Sequence, residues 1–161
     1  MSVRKGLCIA GGAVVLVSTF VFSWMIGSYT LSGWSVLNIL NLFSAMTVYD
    51  IIALILFICV LISGALIIVG IKSGGLAIAF GIIDVVFAAL VLIDCFIITA
   101  VPVVDQIIRD SLYLTIGNTT SILYILPLEW NIFWWPSIGI GTYLLLIGGI
   151  LGIVGGASSE V

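Results

Sequence analysis

The sequence predicts an all-α integral membrane protein, a single domain over residues 1–161 with four transmembrane helices. Composition is the first observation behind this. Apolar residues make up 63% of the chain and charged residues only 7%, against about 25% charged in a soluble domain. The second observation is that the apolar residues gather in four long runs, each near the ~20 residues that a bilayer crossing needs. The third is a mean hydropathy of +1.48. The same scarcity of charge excludes a disordered chain and a nucleic-acid-binding protein, both of which need polarity that is missing.

The four spans are expected at about 7–26, 51–71, 76–100 and 135–155. Each is apolar around most of its circumference, as a helix in lipid should be. Orientation follows from Lys and Arg, which collect on the cytoplasmic side. Arg4 and Lys5 precede the first span, and Lys72 sits in a tight turn, 72–75, between the second and third. The other side has Arg109 against Asp50, Asp105, Asp110 and Glu129. Both termini are therefore expected in the cytoplasm, with two outer loops, 27–50 and 101–134. The basic start followed by an apolar run also fits a secretory signal peptide. No convincing small-x-small cleavage site follows it, which favours a retained span. Arg4, Lys5, Gly6 and Leu7 resemble the processing site of archaeal pilin precursors, which lack three further spans.

Neither outer loop reads as a charged connector. In the first, Asn38, Asn41 and Ser44 recur at every third position among apolar residues, the pattern of a short interfacial helix with one polar stripe. The second opens with Pro102, which breaks the third span. Val103, Val104, Ile107, Ile108 and Leu112 then form the apolar face of a short amphipathic helix, opposite Asp105, Gln106, Arg109 and Asp110. Residues 113–116 and 121–125 are β-prone runs around Gly117 and Asn118, which suggests a small β-hairpin. Asn118, Thr119 and Thr120 form an N-glycosylation sequon, and the alternative reading of Asn118 is a plain turn residue. Trp130, Trp134 and Trp135 lead into Pro136 and the fourth span. With Trp24 and Trp34 they are expected as anchors at the outer membrane interface.

Few residues could carry chemistry. The chain has no histidine, so imidazole-ligated haem, His-based zinc or copper sites and a Ser-His-Asp triad cannot be built from it alone. The three cysteines, Cys8, Cys59 and Cys95, lie in apolar runs without a CxxC motif and read as small hydrophobes. No metal site and no cofactor are expected. Two acids stand in the third span and are the ion or proton candidates. Asp84 lies about 12 Å from the start of that span and Asp94 about 27 Å, at 1.5 Å per residue. Asp94 thus falls near the outer surface, whereas Asp84 falls near the bilayer middle, where an acid costs about 3 kcal/mol. Desolvation there favours the neutral acid. Asp84 reads either as a proton or cation site, or as a structural acid bonded to Ser18, Thr19, Ser63 or a backbone carbonyl.

Small residues give the remaining signal. Gly148, Gly152 and Gly156 repeat at small-xxx-small spacing in the fourth span, and Gly70 with Gly74 and Ala77 with Gly81 do so around the inner turn. Such faces let helix backbones approach closely. They serve either the chain's own bundle or a face for another subunit.

Trp24 at the end of the first span, two outer loops, the Lys72 turn and the run TYLLLIGGILGIVGG over 142–156 give the chain a resemblance to small four-span membrane proteins of claudin-like or tetraspanin-like topology. The resemblance implies a multi-pass bundle. It transfers no functional residues, since neither outer loop carries the cysteines of those families.

These features together point to a non-catalytic subunit or scaffold of the plasma membrane. It would associate through Gly-rich helix faces and apolar outer loops, either with itself as a homo-oligomer or with a larger membrane complex. One alternative is a small oligomeric proton or cation channel using Asp84. Another is an accessory subunit of a respiratory-type membrane enzyme. Lipid is the expected surrounding in each case.

Overall fold

The computed structural model describes residues 3–24, 32–33, 48–96 and 138–158, with side chains described throughout except at 48–54, 57 and 94–96. The described residues form four helices and no strand. These are α1 (Val3–Phe20), α2 (Val48–Val69), α3 (Gly74–Phe96) and α4 (Ile140–Ala157). Three of them, α1, α3 and α4, are long and apolar enough to cross a membrane. The protein is thus a helical membrane protein. The asparagine-lined segment at 36–44, the amphipathic helix at 103–112 and the hairpin at 113–125 lie outside the described residues.

The helices are arranged as a ring. α4 packs closely on both α1 and α3, and α2 lies against α1 and α3 from the other side. One end of the ring gathers the start of α1, the α2–α3 turn and the finish of α4. There Gly74 meets both the carbonyl of Gly156 and the guanidinium of Arg4, and Gly155 faces Cys8 and Leu7. Every helix therefore runs antiparallel to its ring neighbours, and the described chain starts and finishes at this turn end.

Local chemistry explains where the helices stop. α2 finishes by tightening, as Ile71 and Lys72 donate to Ile68 and Val69 at 3.1 and 3.2 Å. These i→i+3 bonds satisfy carbonyls that the last turn would otherwise leave open. The turn thus occupies Gly70 to Ser73, slightly earlier than expected, and α3 begins at once, with Leu76 donating to the carbonyl of Ser73 at 3.0 Å.

The opposite end departs further from the hydropathy pattern. α1 was expected over 7–26 but runs over Val3–Phe20. It starts early because Arg4 and Lys5 extend the helix beyond the apolar run. It stops early because residues 22–24 leave the helix to pair with residues 138–141. Gly139 donates its N–H to the Trp24 carbonyl at 2.9 Å, and Gly141 donates to the Ser23 carbonyl at 3.0 Å. For the same reason α4 begins at Ile140 and not near Trp135. Gly139, at φ −77° and ψ 152°, is extended and offers no side-chain cap. In lipid no water can satisfy the first N–H groups of a helix, and here the end of α1 supplies the acceptors. α3 agrees with its expected start to within two residues, and its described helix finishes at Phe96.

The core is concentrated toward this opposite end. Val15, Trp24, Val60, Phe87, Ala88, Val91, Ile138 and Leu145 pack into one buried cluster, which Ile67 continues toward the turn. Among the described residues the exposed large apolar side chains are all Val or Ile, among them Ile9, Val17, Ile62, Val86 and Ile150. This outer surface is a lipid-compatible one, since apolar side chains facing hydrocarbon incur no exposure cost.

Candidate functional site

Asp84 is the buried acid among the described residues. It stands on the face of α3 that carries Ala77, Gly81, Phe87, Ala88 and Val91, all buried. The spacing of these residues follows the helical period, so the same turn geometry that puts Phe87 in the core also points Asp84 inward. Its side chain has no solvent exposure. From α4, Gly149 comes so close that a Cβ there would lie 3.1 Å from the Asp84 Cβ and 2.8 Å from the Gly81 carbonyl oxygen. From α2, Ser63 is the polar side chain that faces the carboxyl. The Ser63 hydroxyl, however, donates to the Val60 carbonyl at 2.7 Å. Neither carboxyl oxygen of Asp84 makes a hydrogen bond.

The other hydroxyls expected as structural partners are committed elsewhere. Thr19 donates to the Val15 carbonyl of its own helix at 2.8 Å. Ser18 donates to the Gly141 carbonyl at 2.7 Å and accepts from the Trp24 indole N–H at 3.1 Å. Thr142 completes this group by donating to the Trp24 carbonyl at 2.6 Å. Ser18, Trp24 and Thr142 therefore form a buried clasp between α1 and α4. Their hydrogen bonds replace those that a dry environment cannot offer.

Trp24 was expected at the membrane interface. It is fully buried in protein, with its ring edge-to-face on Phe87 at 5.0 Å and 70°. The clasp was not anticipated as a unit. Its signal in the sequence is the presence of Ser18 and Thr142 inside apolar runs, which demands partners but does not name them.

The small residues meet partners within the chain. A Cβ on Gly11 would lie 2.8 Å from the Gly148 carbonyl oxygen and equally close to the Gly152 amide, and Gly152 also packs on Ile67. Gly81 and Gly149 form the matching contact between α3 and α4, and Gly156 abuts Gly74 and Ile78. Gly70 abuts Ala77 across the α2–α3 turn, where an added Cβ would stand 2.6 Å from the Ala77 Cβ. The glycines of α4 therefore serve three helices. Gly148 faces α1, Gly149 and Gly156 face α3, and Gly152 lies between Gly11 of α1 and Ile67 of α2. These faces are filled by the bundle itself.

Several candidate residues fall elsewhere. Asp94 belongs to α3 by its backbone, but its side chain lies outside the described residues, as do Trp34, Asn118, Trp130, Trp134 and Trp135. Among the described residues no group of three or more His, Cys, Asp or Glu side chains could hold a metal ion. Cys8 is a buried free thiol and Cys59 a half-buried one.

Comparison with protein-family models, with curated proteins and with solved structures gives no match to this chain. Its geometry is therefore the basis for any functional reading.

Proposed function

We propose that the chain is a non-catalytic subunit or scaffold of a membrane assembly, crossing the plasma membrane four times with both termini in the cytoplasm. In this reading α2 is the fourth span, and the turn end of the bundle, with Arg4, Lys5 and Lys72, is the cytoplasmic end, as the distribution of basic residues favours. The observation that carries the proposal is the filled interior. Trp24, Ile67, Val60 and Leu145 are buried without exposure, and the small-residue faces close on one another. Among the described residues such a bundle reads as a packed unit. Because its glycines are used internally, partners meet the Val/Ile exterior and the two outer loops.

Extraction in mild detergent followed by native mass analysis tests this. Stoichiometric recovery with larger membrane proteins supports a subunit, and a defined homo-oligomer supports a self-assembling scaffold. A strictly monomeric chain, both in detergent and after cross-linking in the native membrane, would sink the proposal.

A further inference from the structure

We propose that Asp84 is a proton-binding site, an exchangeable acidic proton held in the middle of the bundle. The first ground is geometric. An acid retained for structure has hydrogen bonds that its loss would break, and both oxygens of Asp84 are buried with none. An apolar or amide side chain of similar size would fill the same space, so packing alone does not account for a carboxyl there.

The second ground is the surroundings. Ser63 from α2 and Gly149 from α4 are the residues turned toward it. Among the described residues no titratable or charged group faces it from α2, from α4 or from its own helix. Among the described residues a carboxylate ion would thus have no cation aimed at it and a single serine hydroxyl, that of Ser63, as a side-chain donor, a costly arrangement in a dry interior. A neutral carboxyl needs one acceptor for its O–H. The Ser63 oxygen can serve, because its own hydrogen already goes to the Val60 carbonyl.

The third ground separates a proton from a metal cation. Hard cations take about six oxygen ligands. Around Asp84 there is a single carboxyl and one serine, and no metal-binding group occurs among the described residues. A proton needs only the carboxyl. Release leaves a carboxylate and passes the proton to water, so exchange requires water to reach the seam between α2, α3 and α4. This inference is independent of the subunit reading, since a subunit, a scaffold and a conducting assembly could each contain such a site.

Infrared spectroscopy of the full chain in lipid vesicles tests it. The wild type should show a protonated-carboxyl C=O band at neutral pH that disappears in Asp84→Asn, shifts in D2O and is lost as the pH is raised. Exchange of potassium for sodium or lithium should leave it unchanged. If Asp84→Asn does not fold, a chain with Asp50, Asp94, Asp105 and Asp110 changed to Asn and Glu129 and Glu160 changed to Gln keeps Asp84 as the sole side-chain carboxyl and assigns the band. Absence of the band at neutral pH would overturn the proposal. So would a band that neither exchanges in D2O nor titrates, which marks a locked structural acid. A band removed by sodium or lithium at constant pH would overturn it in favour of a metal-cation site.

Discussion

The two halves of the bundle hold their helices together by different means. Toward the turn end, backbone meets backbone. Gly11, Gly74, Gly81, Gly149, Gly152 and Gly156 have no side chain between helices, and added Cβ atoms at Gly81 and Gly149 would lie 2.6 and 2.8 Å from opposing carbonyl oxygens. Toward the far end, large side chains fill the interior. Trp24 stacks edge-on against Phe87, and the Ser18–Trp24–Thr142 clasp ties α1 to α4 through buried hydrogen bonds. Asp84 stands where the two regimes meet, with Gly81 on one side and Phe87 on the other. In lipid neither half gains from expelling water between helices, so close packing and hydrogen bonding are the forces left. Both halves use close approach, since Gly139 and Gly141 meet the Ser23 carbonyl at the far end, and the far half adds volume and directed bonds.

The contrast can be tested by mutation, read as shifts in unfolding free energy in detergent or mixed micelles. Trp24→Ala should have the largest effect. It removes the biggest buried side chain, its contact with Phe87 and the indole hydrogen bond, for a loss of about 3 kcal/mol. A loss well below this would mean that the far half is not held by volume.

Gly81→Ala and Gly149→Ala come next. Each forces α3 and α4 apart against backbone atoms that cannot rotate away, for about 1–3 kcal/mol each. Because the two positions share one contact, the double variant should cost less than the sum, which a double-mutant cycle measures. Strict additivity would deny that they share it.

Thr142→Val keeps the shape and removes one bond of the clasp. The Trp24 carbonyl still accepts from Gly139, so the expected loss is about 1 kcal/mol. Gly75→Ala should be smallest, within about 0.5 kcal/mol of wild type, because nothing lies within 4 Å of a Cβ at that glycine. A large effect there would show that glycine matters for a reason other than close approach.

Much of this architecture is legible in the sequence, and the remainder is not for physical reasons. Apolar runs mark α3 and most of α1 and α4 because hydropathy reports where backbone can sit in lipid. They do not report where the helix hydrogen bonds stop. Residues 22–24 and Ile138 are as apolar as their neighbours or nearly so, yet they leave the helical path because the carbonyls of Ser23 and Trp24 are the acceptors for Gly141 and Gly139. Such pairing over more than a hundred residues has no local signature. Asp84 is legible as an oddity, since an acid in an apolar run is visible at once. Its lack of a hydrogen bond is not legible, because Ser18, Thr19 and Ser63 were all eligible partners until the fold directed each to a backbone carbonyl. The glycine spacing predicts close helix contact, but only the ring order shows that one helix divides its glycines among its neighbours.

The clasp between α1 and α4 also bears on the order of biosynthesis. A ribosome delivers α1 first and α4 last of the four. Until α4 arrives, the carbonyls of Ser23 and Trp24 and the hydroxyl of Ser18 lack the partners they have in the finished ring, and the Gly11 face of α1 is vacant. A nascent chain of three helices therefore leaves these groups without the partners that α4 brings. Arrival of the last helix supplies those partners and closes the ring. Chains cut before residue 138 should accordingly be cleared from the membrane faster than the full-length protein, a difference that pulse-chase labelling would measure directly.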